Sequence, residues 1–303
     1  MNARRKRVLV MGGTRFSGKR LVHHLLLDGH DVTVATRGNV RDTFHDEVRR
    51  IHFDRTHRAS MESAFKDQPF DIVFDQIGYS AEDMASACQV FAEHIGLYVF
   101  TSSSNVYFGA PKLGVVESDF DPMQDPTPVQ GSPGETTYDV GKRLAESYLA
   151  HHAPFPFTTV RLPIVLGPGE PKKRIELLVG RILDRKPIWI PPGCGKMSYV
   201  DWDDAGRFPA WLGTTGRTGI YNAGSERGID PAELTRVAGR ILGVEPILVD
   251  HGEYEQKPTF VRPFALTMDV SKARKEGFVF TPFDQWFPSL VRDTAEVLGR
   301  GCR

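Results

Sequence analysis

The stretch MGGTRFSGKR, Met11–Arg20, decides the fold of this chain. It is preceded by RVLV, residues 7–10, an apolar run of strand character. It is followed by Leu21, Val22, Leu25 and Leu26, which recur on one helical face up to a stop at Asp28-Gly29. A strand that turns through glycines into a helix gathers backbone N–H groups and the positive end of a helix dipole at the turn, the requirement for holding a phosphate. Gly12 suits the tight turn, where a positive φ is needed, and Gly18 lets helix and sheet pack closely. Between them Thr14, Arg15, Phe16 and Ser17 offer their amides. Arg15 is a departure, because loops of this kind usually have a glycine there to admit a pyrophosphate. It fits only with its side chain turned outward, from where the guanidinium could pair with a phosphate. Alone the loop also reads as an ordinary strand–helix turn; its context favours a dinucleotide site.

Working outward, DVTVATRG, VRRIHFD, FDIVFDQIG and LYVFTSS read as the second to fifth strands, with a helix in AEDMASACQVFAEHIG. Strands alternating with helices predict an α/β fold with a doubly wound parallel sheet, whose ligands bind beyond the carboxyl ends of the strands. Residues 109–137 are rich in Pro, Gly and Asp and read as a lid or surface excursion. A helix resumes at TTYDVGKRLAESYLAHH, then a strand at FTTVRLPIVLG. The second half alternates short elements, among them a helix capped by Asp230 with Pro231 at its first position. The expected division is a dinucleotide-binding domain over 1–163, to which 199–224 return, and a smaller mixed α/β substrate-binding domain over most of 164–303.

Composition narrows the class. The 303 residues carry 38 Lys plus Arg against 38 Asp plus Glu, so net charge offers no argument for a nucleic-acid or membrane partner. The 3 cysteines, Cys88, Cys194 and Cys302, are far apart and form neither a disulfide framework nor a zinc motif, which points to a reducing, cytoplasmic setting. The adjacent pairs His23-His24 and His151-His152 lack the helical spacing of metal ligands, and no metal is expected.

The end of the second strand bears on cofactor choice. Dinucleotide folds that take NAD usually place Asp or Glu there for the ribose 2′-hydroxyl. Here the sequence is VATRGN, and Arg37 would pair with a 2′-phosphate that a carboxylate would repel. This predicts NADP(H) over NAD(H), with a solvated loop charge as the other reading of Arg37. Asp54, ending the third strand, could accept from the adenine amino group or simply form a turn. Ile77, past the fourth strand, falls at the same sheet edge.

TSSSNVY closes the fifth strand with hydroxyls at the carboxyl edge, and Tyr138 and Lys142 lie four apart on one helical face. A nearby ammonium lowers a phenol's pKa from its usual value near 10. A tyrosine so tuned can shuttle a proton at a carbinol oxygen while a nicotinamide moves hydride at the adjacent carbon.

Taken together, GGTRFSG, FTSSSNVY, YDVGK, VRLPIVLGPG, SYVDWDDAG, IYNAG and DVSKARKEG resemble an extended short-chain dehydrogenase/reductase of the NAD-dependent epimerase/dehydratase family. The resemblance implies Ser103 as the catalytic hydroxyl, Tyr138 as the acid/base, and Lys142 as the group that tunes it and binds the nicotinamide ribose. It implies that Pro163 and Ile164 line the nicotinamide, that Ser104 and Asn105 face the substrate, and that Arg262 reaches a substrate diphosphate; a surface charge is the other reading of Arg262. The substrate class implied is a nucleotide sugar, with epimerase or ketoreductase chemistry. In the family's 4,6-dehydratases Asp and Glu follow the catalytic hydroxyl, and Ser104 and Asn105 replace them here, which argues against elimination. The GGTRF form also resembles a subgroup containing chloroplast stem-loop RNA-binding proteins, so an RNA- or partner-binding role without catalysis is the alternative, as is reduction of a non-sugar carbonyl. A homodimer through the helices at 81–95 and 136–150 is the expected assembly.

Overall fold

In a computed structural model, residues 4–66, 68–125, 137–252, 258 and 260–299 are described. Part of the expected 109–137 excursion, residues 126–136, lies outside them, as does Cys302. The strands are β1 (Arg7–Met11), β2 (Asp31–Thr36), β3 (Arg49–His52), β4 (Phe70–Asp75), β5 (Ile95–Ser103), β6 (Phe157–Leu162), β7 (Ile164–Leu166), β8 (Ile188–Trp189), β9 (Tyr199–Asp201), β10 (Gly219–Asn222) and β11 (Leu248–Val249). The helices are α1 (Phe16–Leu27), α2 (Arg58–Phe65), α3 (Ala81–Phe91), α4 (Tyr138–His152), α5 (Arg174–Leu183), α6 (Trp202–Thr214), α7 (Pro231–Leu242), α8 (Ser271–Lys275) and α9 (Phe283–Val297).

The chain divides into two compact units. The first, Met1–Phe108, Glu117–Leu162 and Ala205–Asn222, holds a seven-stranded sheet in the order β10-β6-β5-β4-β1-β2-β3. Every pairing in it is parallel. This is the doubly wound α/β sheet expected from the alternating pattern. Val8, Leu9, Val10 and Met11 of central β1 are all fully buried, as a parallel strand covered on both faces requires. On one face Met61 and Phe65 of α2, Met84, Cys88 and Phe91 of α3, and Ala145 and Leu149 of α4 pack against Leu9, Val73, Tyr98 and Phe100. On the other, α1 and α6 approach so closely that a Cβ at Gly206 would sit 2.5 Å from the Leu21 backbone nitrogen. The order of connection reverses between β1 and β4, and the crevice that opens there is where ligands of such sheets bind.

The second unit comprises Gly109–Val116, Pro163–Asp204 and Ala223–Arg303. In it β7 pairs with β9 and β8 with β11, and α5, α7 and α9 pack on one another. Their contact faces are the apolar stripes Ile175, Leu178 and Ile182, Leu234, Ala238 and Leu242, and Phe283, Phe287 and Leu290. Asp230 caps α7 by accepting from the N–H groups of Ala232 and Glu233, and Gly243 ends the helix at φ 67°, as its sequence signals predict.

One local reading changes, and two helices have no reading in the sequence. The run FTTVRLPIVLG is two strands, β6 and β7, because Pro163 cannot donate to a ladder. Helix α2 occupies RASMESAF, whose short apolar stripe, Met61 and Phe65, gives little periodicity to read. Helix α9 forms despite Pro288 in its interior, its tertiary packing outweighing the local penalty.

The glycine turn sets a stability prediction. A Cβ at Gly18 would stand 2.6 Å from the carbonyl oxygen of Gly12, a backbone atom with nowhere to go. Gly18→Ala is expected to cost about 1–3 kcal/mol, read as a lower urea midpoint at unchanged slope.

Candidate active site

The carboxyl edge of the first unit's sheet assembles the site. Gly12 leaves β1 at φ 88°, with its N–H donating to Ala35 O at 3.0 Å. A Cβ on it would fall 2.4 Å from Cγ2 of Ile77, and one on Gly13 would fall 2.7 Å from Cγ2 of Val22. Gly12, Gly13 and Gly18 thus form a cradle that side chains would fill, which fits the close approach of a pyrophosphate. Arg15 is extended (φ −130°, ψ 149°) and exposed, so its side chain points away from the packed turn. Phe16 opens α1 with φ 43°, in the left-handed region that non-glycine residues rarely enter. Helix α1 starts with no side-chain cap and no acidic residue in its first turn, between Thr14 and Ser17, which leaves its positive end suited to an anion.

Arg37 is the first residue past β2 and is exposed. A cavity of about 550 Å³ opens beside it, lined in part by Thr36, Gly38, Arg41 and His52. The Asp54 carboxylate turns back on its own loop, where Oδ1 accepts from Thr56 N at 3.0 Å and Thr56 Oγ1 at 2.7 Å. Those hydrogen bonds lower its pKa, with smaller help from His57 and Arg37. The geometry is that of the turn-forming reading of Asp54.

Ser103 ends β5 and is buried; its Oγ accepts from Asn105 N at 3.2 Å. Tyr138 is the first residue of α4, and Lys142 lies one turn on. The Lys142 ammonium is 1 % exposed and donates to Gly78 O at 2.6 Å and Thr101 O at 2.7 Å. It lies 4.7 Å from the Tyr79 ring centroid, 4.8 Å from that of Phe100 and 5.8 Å from that of Tyr138. The expected lowering of the Tyr138 pKa by Lys142 is not found. Crowding by protein atoms raises the phenol's pKa, the nearby Ser103 hydroxyl opposes this and Tyr79 adds to it, while the residue itself is half exposed. The ammonium lies beneath the ring, tied to two carbonyls, rather than at the hydroxyl. Burial instead pushes Lys142 itself down to about 8, against the pull of Asp75.

Ser104 and Asn105 lie in the 3-10 turn Ser104–Tyr107 that follows β5, the first buried and the second partly so. Pro163 and Ile164 begin the Pro163–Asp204 segment of the second unit, and Arg262, half-buried in that unit, donates to Val261 O at 3.1 Å.

Two buried charge networks were not anticipated from the sequence. In the first, Arg55 Nη2 meets Asp75 Oδ2 at 2.7 Å, and the same carboxylate accepts from Tyr98 Oη. In the second, Arg161, fully buried on β6, meets Glu146 Oε2 at 2.6 Å and donates to Tyr107 Oη at 2.7 Å, Glu117 O at 2.8 Å and Phe120 O at 2.9 Å. Ser102 Oγ donates to Glu146 Oε1 at 2.5 Å. The signal available was the i, i+4 row Tyr138, Lys142, Glu146 along α4, whose third member is also polar.

The family model of the NAD dependent epimerase/dehydratase family matches residues 8–224, from β1 to the end of the sheet. The chain belongs to that family. The assignment makes this epimerase/dehydratase family member an enzyme of the extended short-chain dehydrogenase/reductase type, built to use a nicotinamide dinucleotide. It is 26% identical over 97% of its length to the chloroplast stem-loop binding protein of 41 kDa b of Arabidopsis thaliana, 74% of which is covered. Among solved structures it resembles UDP-glucose 4-epimerase of Thermotoga maritima with UDP-glucose, at TM-score 0.75 and 18% identity over 96% of this chain and 99% of that one. It also resembles the Bordetella bronchiseptica enzyme WbmG in complex with NAD, at TM-score 0.74 and 18% identity over 98% and 96%. These likenesses concern the fold. Among the described residues, no helix is long and apolar enough to cross a membrane.

The Arg161 network yields a prediction for this family member. Glu146→Ala strands a buried guanidinium and is expected to cost about 3–5 kcal/mol in urea unfolding.

Proposed function

We propose that this chain is an NADP(H)-dependent epimerase or ketoreductase acting on a nucleotide-sugar-like substrate. The observation that carries the reading is the gathering of Ser103, Tyr138 and a buried Lys142 at the sheet edge that also bears the glycine cradle. When bound, the nicotinamide supplies or accepts the hydride. Tyr138 moves the proton at the adjacent oxygen of the substrate, and Ser103 holds that oxygen in place. The raised phenol pKa keeps Tyr138 protonated at neutral pH, the form that donates to a carbonyl. Lys142 anchors the nicotinamide ribose, Ile77 and the cradle glycines shape the dinucleotide's bed, and Arg15 and Arg37 pair with its phosphates. Pro163 and Ile164, assigned to line the nicotinamide, and Arg262, assigned to the substrate diphosphate, all belong to the second unit.

The neighbours support the substrate class: the Thermotoga structure contains UDP-glucose, and a further WbmG structure contains NAD and UDP. NAD is the dinucleotide named for the neighbours, and the NADP preference here rests on Arg37 standing where a carboxylate would be. Ser104 and Asn105 provide no carboxyl group for an elimination, which argues against dehydratase chemistry. The stem-loop binding relative favours RNA binding as a second reading, opposed by the balanced charge.

Two incubations separate these outcomes, NADPH with 4-keto sugar nucleotides and the oxidised cofactor with 4-hydroxy sugar nucleotides. Steady NADPH loss in the first marks a reductase, and interconversion of the two alcohols in the second without net NADPH formation marks an epimerase. Inertness toward all of them, with RNA affinity falling steeply as salt rises, supports the second reading. Tyr138→Phe is expected to lower the turnover rate on the order of a hundredfold or more, and full activity in that variant removes its assigned role. Arg37→Glu should weaken NADPH binding about tenfold or more and leave NADH nearly unchanged; equal effects on both would return Arg37 to a solvated loop charge.

A further inference from the structure

We propose that the buried Arg55–Asp75–Asp83 cluster is the positioning device of the site, fixing the Ile77–Tyr79 backbone and thereby the place of the Lys142 ammonium. This rests on the dinucleotide reading above. Asp75 ends β4 with no exposed surface, and its carboxylate is spoken for on every side. Oδ2 takes Arg55 Nη2 and Tyr98 Oη, and Oδ1 takes Ile77 N at 2.9 Å. Arg55 continues to α3, where Nε lies 3.2 Å from Asp83 Oδ1 and Nη2 donates to Asp83 O at 3.0 Å. The other Asp83 oxygen accepts from Tyr79 N at 2.7 Å. The N–H groups on both sides of Gly78 are therefore held by carboxylates that Arg55 ties together. The carbonyl between them, Gly78 O, receives the Lys142 ammonium. Gly78 itself leaves no slack, since a Cβ there would stand 2.3 Å from Met84 Cε and 3.0 Å from Asp75 Oδ2. Through Ile77 the same segment abuts Gly12 of the cradle.

Stability alone is a poor reason for such a cluster. Apolar replacements of buried ion pairs are often neutral or stabilising, because desolvation offsets the attraction. What apolar side chains could not do is hold two N–H groups and aim the carbonyl between them. The cluster also acts on charge. The groups facing Lys142 are Asp75 on β4, Arg55 past β3, Asp83 on α3, Glu146 on α4, and the phenols of Tyr79 and Tyr138. Asp75 is the strongest of those favouring its charged form.

The test is a fluorescence titration of the full-length protein with NADPH from neutral to alkaline pH. Wild-type affinity is expected to fall as pH passes about 8, where the ammonium loses its proton. Asp75→Asn should weaken binding about tenfold at neutral pH and move that fall to lower pH, because a charge favouring the ammonium is gone. If Asp75→Asn does not accumulate as folded protein, Asp83→Ala at a partly exposed position carries the test, with the same direction and a smaller shift. A melting temperature that drops while the pH of the fall stays at its wild-type value would reduce the cluster to structural support and overturn the proposal. So would unaltered affinity in a folded variant. A wild-type chain that binds neither NADPH nor NADH overturns the dinucleotide reading and this proposal with it.

Discussion

A lysine ammonium taken wholly out of water needs replacement acceptors, and Lys142 finds them in the carbonyls of Gly78 and Thr101. Those carbonyls lie at the exits of two neighbouring strands, β4 and β5, while the lysine belongs to α4. Three elements distant in sequence are thus fixed to one another at the sheet edge. The tie needs the β4 exit to run very close to α4: a Cβ on Gly141, one residue before the lysine, would fall 2.4 Å from Tyr79 O. This contact seats the first turn of α4, which carries Tyr138, beside the end of β5, which carries Ser103.

Helix α4 is held from its other end by the opposite arrangement. There the buried carboxylate of Glu146 meets the buried guanidinium of Arg161, and the guanidinium also collects Tyr107 and the carbonyls of Glu117 and Phe120. Arg161 thereby binds the segment after β5 to β6. Tyr138, Lys142 and Glu146 form one row on the helix, and the last two are fixed by different strands or strand exits. Such over-determination holds a site's geometry to the fractions of an ångström that proton transfer demands.

The parts of this arrangement that follow from local pattern were legible in the sequence. The apolar run Val8–Met11 in β1, glycines at both ends of a turn and a 3.6-residue stripe in α1 are properties of short windows, and so is the Tyr138–Lys142 spacing. The partners of Arg55 and Arg161 were not legible, because each pairing spans strands whose register is set by the whole sheet. Asp75 reads in FDIVFD as the polar end of a strand, and only the fold shows that its carboxylate is sealed from water. The inferred effect of Lys142 on Tyr138 failed for the same reason. Spacing placed the two on one face but said nothing of the carbonyls that draw the ammonium beneath the ring.

That correction has a chemical consequence. A phenol lowered toward neutrality would serve best as a base, accepting a proton from a carbinol. A phenol raised by its surroundings is a weaker acid that stays protonated at neutral pH, so it holds the form that hydrogen-bonds to a carbonyl oxygen and needs a positive charge nearby before it can act as the base. With Lys142 tied to the carbonyls of Gly78 and Thr101, that charge has to come from what enters the site. Under the proposed function Lys142 would hold the ribose of a dinucleotide, and the positively charged ring of its oxidised form would supply the charge that favours the phenolate. Tyr138 would then take up a proton from substrate in the oxidising direction and donate its own in the reducing one.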